Sequence, residues 1–291
     1  MKTALIANPA AGGGRAARRI DDLARNLERG GFEVAVHRTD GPGHATVLAR
    51  HADAALVVAA GGDGTTFEVV NGLMQREERP ALGIIPLGTG NSFLRDLDIT
   101  DTEQALQALH SGKRRPVDCV QIRHAEGTTF FINLLSVGFT ARAGHVTNAR
   151  YKGLGAAGYV LATLQCLVAL DHPAVSYQLD EHPPRSGPCT FVSFSNSQFT
   201  GGTMHMAPAA DISDGRLDAI HVAPLRRRRF LAAFPRIFQG THVQMPEITS
   251  DQASCVRFEP VVPMDCMIDG EVMTLSISEL TVLQGALEVF A

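Results

Sequence analysis

Two short stretches hold carboxylates in settings that could do chemistry. One is Gly61-Gly62-Asp63-Gly64-Thr65, with Glu68 three residues on; the other is Asp269-Gly270-Glu271. Glycines let backbone N–H groups approach a ligand closely and permit positive φ. A helix N-terminus beside them adds partial positive charge, so the first stretch suits an anion, most simply phosphate. Asp63 is out of place in a bare anion site. It makes sense if a divalent cation or a hydroxyl proton lies between it and the phosphates; the plain alternative is a tight turn with Asp63 as a helix cap. Asp269 is a candidate general base, with a glycine next to it for close ligand approach. Its local residues alone favour an Asp-Gly hairpin turn.

The elements that must position these residues follow from the hydrophobic pattern. Ala54–Val58 is an apolar run that reads as a buried strand, and Val69, Val70, Leu73 and Met74 fall on one face of a helix. The first glycine stretch is therefore a strand–loop–helix junction. Two more glycine loops follow strands: Asn8-Pro9-Ala10-Ala11-Gly12-Gly13-Gly14 after Thr3–Ala7, and Pro86-Leu87-Gly88-Thr89-Gly90-Asn91-Ser92 after Ala81–Ile85. Helices are expected from Ala16 to Leu27, Ala45 to Ala52 and Thr102 to Leu109, and a strand at Phe32–His37. This alternation over 1–112 predicts a mostly parallel sheet with helices on both faces and ligands at the carboxyl ends of the strands, where all three loops can share one crevice. None fits the P-loop or the G-x-G-x-x-G dinucleotide pattern.

The character changes near Arg115-Pro116-Val117-Asp118. Strand-like runs then dominate, at Cys119–Arg123, Thr128–Leu135, Ala174–Leu179, Cys189–Ser195, Leu217–Val222 and Ser254–Phe258. The first two are joined by a hairpin-like His124–Gly127. Two helical interruptions stand out, Gly155 to Leu170 and Arg226 to Phe238. The pattern predicts an α/β N-terminal domain followed by an all-β, antiparallel, sandwich-like C-terminal domain.

Composition narrows the function classes. The chain has 291 residues, 45% of them hydrophobic, enough for one large domain or two ordinary ones. A formal net charge of −4 argues against a general nucleic-acid binder. No apolar run approaches the roughly 20 residues that span a bilayer, and the N-terminal apolar stretch is too short for a signal peptide. The five cysteines are scattered, with no C-x-x-C pair, which points to a reducing cytoplasm and away from a cysteine-built zinc site. His145 and His205 lie in no metal-binding spacing and read as structural or surface residues. Arg226–Arg229 with Phe230 and Leu231 could touch anionic lipid; more often such a run is a solvated face with its apolar side in the core.

Six motifs occur in order: Asn8-Pro9-x-x-Gly12 continuing to Thr39; Gly-Gly-Asp-Gly-Thr-x-x-Glu at 61–68; Pro86-x-Gly88-Thr89-x-Asn91; Asn196 with Gly201-Gly202 and Pro208; Asp214-Gly215-Arg216-Leu217-Asp218; and Asp269-Gly270-Glu271. Together, and over nearly the whole chain, they resemble the diacylglycerol kinase catalytic family, the small soluble bacterial lipid kinases above all, with sphingosine and ceramide kinases further off. The resemblance implies an enzyme of lipid metabolism, acting in phospholipid biosynthesis. It implies ATP-dependent, magnesium-dependent phosphorylation of a lipid hydroxyl, with diacylglycerol or a related glycerolipid as acceptor. It implies a nucleotide-binding domain over 1–118, to which 282–291 returns, and a β-rich lipid-substrate domain over 119–281, with ATP entering the cleft between them. Asp269 takes the family's catalytic position. The nucleotide contacts carried over are Asn8, Pro9, Ala10, Ala11, Gly12, Thr39, Gly61, Gly62, Asp63, Gly64, Thr65, Glu68, Thr89 and Glu271. The structural magnesium loop maps onto Asp211, Asp214 and Arg216, with Asp214 giving a carboxylate and the other two backbone oxygens. One departure stands out: Ser92 occupies the place where the family usually has Asp, with Asp96 a turn away.

The expected setting is cytoplasmic, with the lipid met at a membrane surface, no transmembrane segment and no nucleic-acid partner. A peripheral membrane position and a homodimer both stay open. Two other readings stand beside the lipid kinase. One is a soluble phosphotransferase of the NAD kinase or phosphofructokinase kind, since a Gly-Gly-Asp-Gly loop resembles those too. The other is a non-catalytic nucleotide- or lipid-binding regulator, which Ser92 keeps open.

Overall fold

The computed structural model describes residues 1–88, 91–151 and 154–291. The chain divides into two compact units: Met1–Val117 with Gly285–Ala291, and Asp118–Gln284.

The first unit alternates strands and helices. Its elements are β1 (Lys2–Ala7), α1 (Ile20–Arg29), β2 (Glu33–Arg38), α2 (His44–His51), β3 (Leu56–Gly61), α3 (Asp63–Leu73), β4 (Ala81–Pro86) and α4 (Thr102–Ser111). The sequence dictates these pieces simply. In α1, Ile20, Leu23, Ala24 and Leu27 recur at helical spacing and are the buried face. In β3 and β4 every residue is buried, the pattern of central parallel strands covered on both sides. Asp101 caps α4 by accepting the Gln104 N–H at 2.9 Å, and Gly112 ends the helix at φ 72°. Pairing runs β2-β1-β3-β4, all parallel. The chain leaves β1 for β2 on one side and returns to β3 on the other. The carboxyl ends of β1 and β3 therefore flank the point where the winding reverses, where such sheets hold ligands.

The second unit is antiparallel. Its strands are β5 (Arg114–His124, entering from the first unit), β6 (Gly127–Phe131), β7 (Leu134–Gly138), β8 (Ala174–Leu179), β9 (Arg185–Pro188), β10 (Phe191–Ser195), β11 (Phe199–Thr200), β12 (Met204–His205), β13 (Leu217–Val222), β14 (Ile248–Ala253), β15 (Cys255–Phe258), β16 (Met264–Ile268), β17 (Glu271–Leu275) and β18 (Ile277–Phe290). Its helices are α5 (Phe139–Val146), α6 (Gly155–Cys166) and α7 (Arg227–Ala233). One sheet is ordered β14-β13-β10-β7-β16-β17; in the other, β8 and β9, β15, the start of β18, β5 and β6 adjoin in turn. Period-two alternation in β10 splits its side chains between two cores. Phe194 meets Tyr177 and Phe258 of the other sheet edge-on, at 5.3 and 5.6 Å between ring centroids. Phe191 faces the helices and joins Phe139, Phe230 and Met267 in a second apolar cluster. From Gly285 on, β18 belongs to the first unit, where Val289 pairs in parallel with Leu82 of β4.

Three elements depart from the sequence reading, each for a physical reason. The run expected as one strand over Thr128–Leu135 is two, β6 and β7, because the N–H groups of Ile132, Asn133 and Leu134 turn to a carboxylate rather than to a neighbouring strand. The helix expected over Arg226–Phe238 is α7 followed by a 3-10 segment from Phe234, since Pro235 cannot donate to an α-helical ladder. Helix α5 was not expected at all. Its residues Phe139, Thr140, Ala141, Ala143 and Gly144 are buried on several sides, which erases the one-sided stripe that marks a helix in sequence.

Candidate active site

In the first unit, the loops after β1, β3 and β4 interlock through backbone contacts. Asn8 donates its backbone N–H to Ala60 O at 3.0 Å and its side-chain amide to Thr65 Oγ1 at 3.4 Å, while its Oδ1 accepts the Ala10 N–H at 2.9 Å. The N–H groups of Leu87 and Gly88 both donate to Gly61 O. Only glycine fits where these loops cross. A Cβ on Gly88 would sit 2.8 Å from Gly62 Cα, and one on Gly12 would sit 2.8 Å from Leu87 O. Gly12, Gly13 and Gly14 all have positive φ, a conformation that costs an L side chain energy. Asn8, Gly12, Gly61, Gly62, Thr65 and Gly88 are thus gathered in one place. Thr39, buried at the end of β2, joins the rim by donating its N–H to Ala7 O at 2.9 Å. Thr89 lies outside the described residues.

Two of the carboxylates have defined structural partners. Asp63 is the first residue of α3, and Gly62 is the cap position. Asp63 Oδ1 accepts the N–H of Ser92 at 3.1 Å, so it braces the loop after β4. The plain helix-cap reading of Asp63 therefore gives way to a bridge between two loops. Glu68, grouped with the nucleotide contacts in the sequence, faces α2. One carboxylate oxygen accepts the Gly43 N–H at 2.8 Å and the other the Ala45 N–H at 3.0 Å. Those are orphan donors at the start of α2, and Glu68 is their cap.

Sequence reasoning missed Arg15 and Arg19. Both line a cavity of about 310 Å³ together with Ala16, Pro86, Leu87 and Gly88. Arg15 Nε donates to Gly12 O at 2.8 Å and Arg19 to Thr102 Oγ1 at 3.0 Å, which holds two guanidinium groups beside the glycine loops. The signal was present in Gly12-Gly13-Gly14-Arg15: a cation directly after an anion-suited loop.

In the second unit, Asp269 and Gly270 form the two-residue loop between β16 and β17, closed by the Ile268–Glu271 pair. Their φ angles are 47° and 89°, both positive as a type I′ hairpin turn requires. The turn reading of Asp-Gly is thus correct for the backbone, and the side chain does something further. Asp269 as a whole is only 4% exposed. Its Oδ1 accepts the N–H groups of Asn133 and Leu134, both at 3.0 Å, and Oδ2 accepts that of Ile132 at 3.1 Å. Asp269 N–H returns a bond to Leu134 O at 3.0 Å. A buried acid held by three main-chain donors has a fixed position and orientation. Glu271 is half-buried at the first position of β17.

The Asp211–Arg216 turn is also in the second unit. Asp211 Oδ1 accepts from Ser213 N–H and hydroxyl, and Asp214 Oδ1 accepts the Arg216 N–H at 2.9 Å. The buried Asp118, which the sequence did not single out, accepts the Gly215 N–H at 2.6 Å and so supports this turn from β5. Burial raises the Asp214 pKa, and the nearby charges of Asp211 and Asp118 add to the shift. Among the described residues no three acid, histidine or cysteine side chains converge as a ready metal cluster.

An anion-suited α/β unit and an antiparallel unit presenting a fixed buried acid are the parts of a phosphotransferase, and comparison with known proteins narrows the class. Residues 2–122 match the diacylglycerol kinase catalytic domain, and residues 133–291 match the YegS C-terminal NAD kinase beta sandwich-like domain. A diacylglycerol kinase of Bacillus subtilis (strain 168) is 30% identical over 93% of this chain and 90% of its own. A solved structure of a putative diacylglycerol kinase from Bacillus anthracis str. Sterne superposes with TM-score 0.81 at 25% identity, over 99% of this chain and 96% of its own. An NAD kinase from Archaeoglobus fulgidus in complex with ATP shares the fold alone, at TM-score 0.52 and 14% identity over 100% of this chain and 94% of its own. The chain belongs to the diacylglycerol kinase catalytic-domain family and is a lipid kinase. No helix among the described residues is long and apolar enough to cross a membrane.

Proposed function

We propose that this lipid kinase transfers the γ-phosphoryl group of ATP to the free hydroxyl of diacylglycerol or a related glycerolipid, with Asp269 as the general base. The observation that carries the proposal is the buried Asp269 carboxylate held by the Ile132, Asn133 and Leu134 N–H groups. In the transfer, the lipid oxygen bonds to the γ-phosphorus and the bridge to the β-phosphate breaks. The hydroxyl proton passes to Asp269, and ADP leaves. A base held by three main-chain donors helps keep the attacking oxygen in line, and such positioning, with charge stabilisation, is how phosphoryl transfer is accelerated.

The nucleotide belongs to the first unit in this reading. The glycine loops after β1 and β3 flank a winding reversal, the second of them opening α3, and Arg15 and Arg19 offer charge for the phosphates. Asn8, Thr39 and Thr65 border the same loops. The residues present suit magnesium in two places. Asp63, beside the phosphate loops, fits a cation that keeps several waters and uses one or two carboxylates. The Asp211–Arg216 turn fits a structural ion, because a divalent cation would relieve the burial and like-charge cost that raises the Asp214 pKa. There Asp214 would give its carboxylate, and Asp211 and Arg216 their carbonyls. When bound, magnesium supplies charge neutralisation at the phosphates and stiffness at the turn.

The lipid is met at a membrane in this reading. Arg226, Arg227 and Arg228 are exposed at the start of α7, next to exposed Leu231 and, further on, Phe238. Arg229, by contrast, is bound to Glu247 at 2.7 Å. Exposed cations beside exposed apolar side chains suit an anionic bilayer surface. The decisive experiment incubates the protein with ATP, magnesium and a panel of mixed micelles, including diacylglycerol, ceramide, sphingoid base and phosphatidylglycerol, and identifies products by mass spectrometry. Phosphatidic acid as the main product supports the reading. Phosphorylation of a sphingolipid in preference to diacylglycerol would overturn the acceptor assignment.

A further inference from the structure

Ile132 and Asn133 fall in the break between β6 and β7, outside the pairing of either strand. The segment is pinned instead from two sides. Asp269 takes its N–H groups, and the Asn196-Ser197 stretch just past β10 takes its carbonyls. The Asn196 side-chain amide donates to Ile132 O at 2.8 Å and to Asp118 O of β5 at 3.1 Å. Its backbone N–H donates to Asn133 O at 2.8 Å, and the Ser197 N–H reaches the same oxygen at 3.2 Å. The Ser197 hydroxyl donates to Asn133 Oδ1. Asn196 and Ser197 are both fully buried.

A trans peptide plane carries its C=O and N–H in opposite directions, and the planes of this segment are trans. The Ile132 C=O and the Asn133 N–H share one plane. The Asn133 C=O and the Leu134 N–H share the next. Each plane is therefore held at both ends, by Asn196 and Ser197 at the oxygen and by Asp269 Oδ1 at the nitrogen. Fixing the oxygens aims the two donors that orient Oδ1. Carbonyls only accept, so the Asn196 atom facing Ile132 and Asp118 is the NH₂, with both hydrogens used. An aspartate there would set a carboxylate oxygen against carbonyl oxygens, and a leucine would leave both carbonyls unpaired. The Asn196 Oδ1 is buried and has no hydrogen-bond partner among the described residues. An amide that leaves its oxygen unsatisfied stands there for what its nitrogen does.

We propose that Asn196, backed by Ser197, is a positioning residue for the phosphoryl transfer: it sets the 132–134 peptide planes, and they set the Asp269 carboxylate. The proposal rests on the reading of Asp269 as the general base. Its test is a double-mutant cycle on the full chain, with radiolabelled ATP, magnesium and dioctanoylglycerol in mixed micelles. Asn196→Ala should lower kcat at least about tenfold, as a small misplacement of a reacting group does, with KM for ATP and for the lipid within about threefold of parental. Ser197→Ala, the smaller change, should lower kcat about threefold. In an Asp269→Asn background no base is left to position, so neither change should lower the residual rate by more than about twofold. A role in folding alone would lower both backgrounds by the same factor. That result, a loss carried by KM, or a kcat within about twofold of parental for both variants would overturn the proposal. If circular dichroism shows Asn196→Ala unfolded, the cycle is read on Ser197→Ala. Near-parental turnover of Asp269→Asn refutes the base itself. Loss of turnover in Asp269→Asn, with the other two variants unaffected, refutes the positioning role alone.

Discussion

Asp269→Asn separates folding from chemistry at the proposed base. Asparagine tolerates positive φ about as well as aspartate, so the turn at φ 47° is kept. The change falls on the carboxylate. Asn Oδ1 can still accept from Asn133 and Leu134, but the bonds become neutral ones, roughly half as strong. Its NH₂ then faces the Ile132 N–H, where Oδ2 now accepts at 3.1 Å. That leaves a buried donor unmatched, at about 1–3 kcal/mol. Relief of the buried charge offsets part of the loss, so a net destabilisation of about 2–3 kcal/mol is expected in urea unfolding. Turnover should fall by at least about a thousandfold, since the turn keeps its place but the base is gone. Nucleotide affinity should hold, because the glycine loops are untouched. A variant within about 0.5 kcal/mol of the parent would refute the three-donor clamp. A variant that is destabilised but turns over at near-parental rate would refute the base.

Three further perturbations reach other parts of the molecule. Gly88→Ala would push a Cβ to within 2.8 Å of Gly62 Cα, where backbone cannot yield. A loss of about 1–3 kcal/mol and at least tenfold weaker ATP binding are expected by thermal melts and calorimetry, and parental affinity would sink the interlocked-loop account. Glu68→Gln should cost about 1–2 kcal/mol, because one of the Gly43 and Ala45 N–H groups then meets an amide donor; a stable variant with weak ATP affinity would make Glu68 a direct nucleotide contact instead. His242 bears on pH. Its pKa drops from 6.5 unfolded to about 4 folded, chiefly by burial, with His205 nearby. Its stabilising share is therefore full above about pH 6.5 and is lost as pH falls through about 4. The span of about 2.5 pH units is worth about 3 kcal/mol, and His242→Gln should flatten stability over that window in denaturant titrations at fixed pH.

The α/β half was legible because its signals are local. An apolar strand, a glycine loop and an amphipathic helix lie adjacent in the chain, and α1 shows all of its buried face in one stripe. The antiparallel half was legible in class and less so in detail, because what shapes it comes from far along the chain. The break between β6 and β7 is made by a carboxylate more than a hundred residues away, and nothing in Ile132-Asn133-Leu134 announces it. Glu68 shows the same limit: its motif position suggests a ligand, while its partners on α2 emerge only once α2 and α3 pack together. Arg15 and Arg19 could have been found, as cations just past a phosphate-suited loop.

The final strand has a consequence for biosynthesis. β4 gains its outer neighbour only when Val289 arrives opposite Leu82, after the whole second unit has been made. At ordinary ribosomal speeds that is a wait on the order of ten to thirty seconds, with a fully apolar strand open along one edge. The nascent first half is thus a natural client for chaperones. Limited proteolysis of stalled ribosome complexes would reveal it: chains halted at residue 284 should be cut within the first unit far faster than released ones, and equal resistance would mean that β4 needs no late partner.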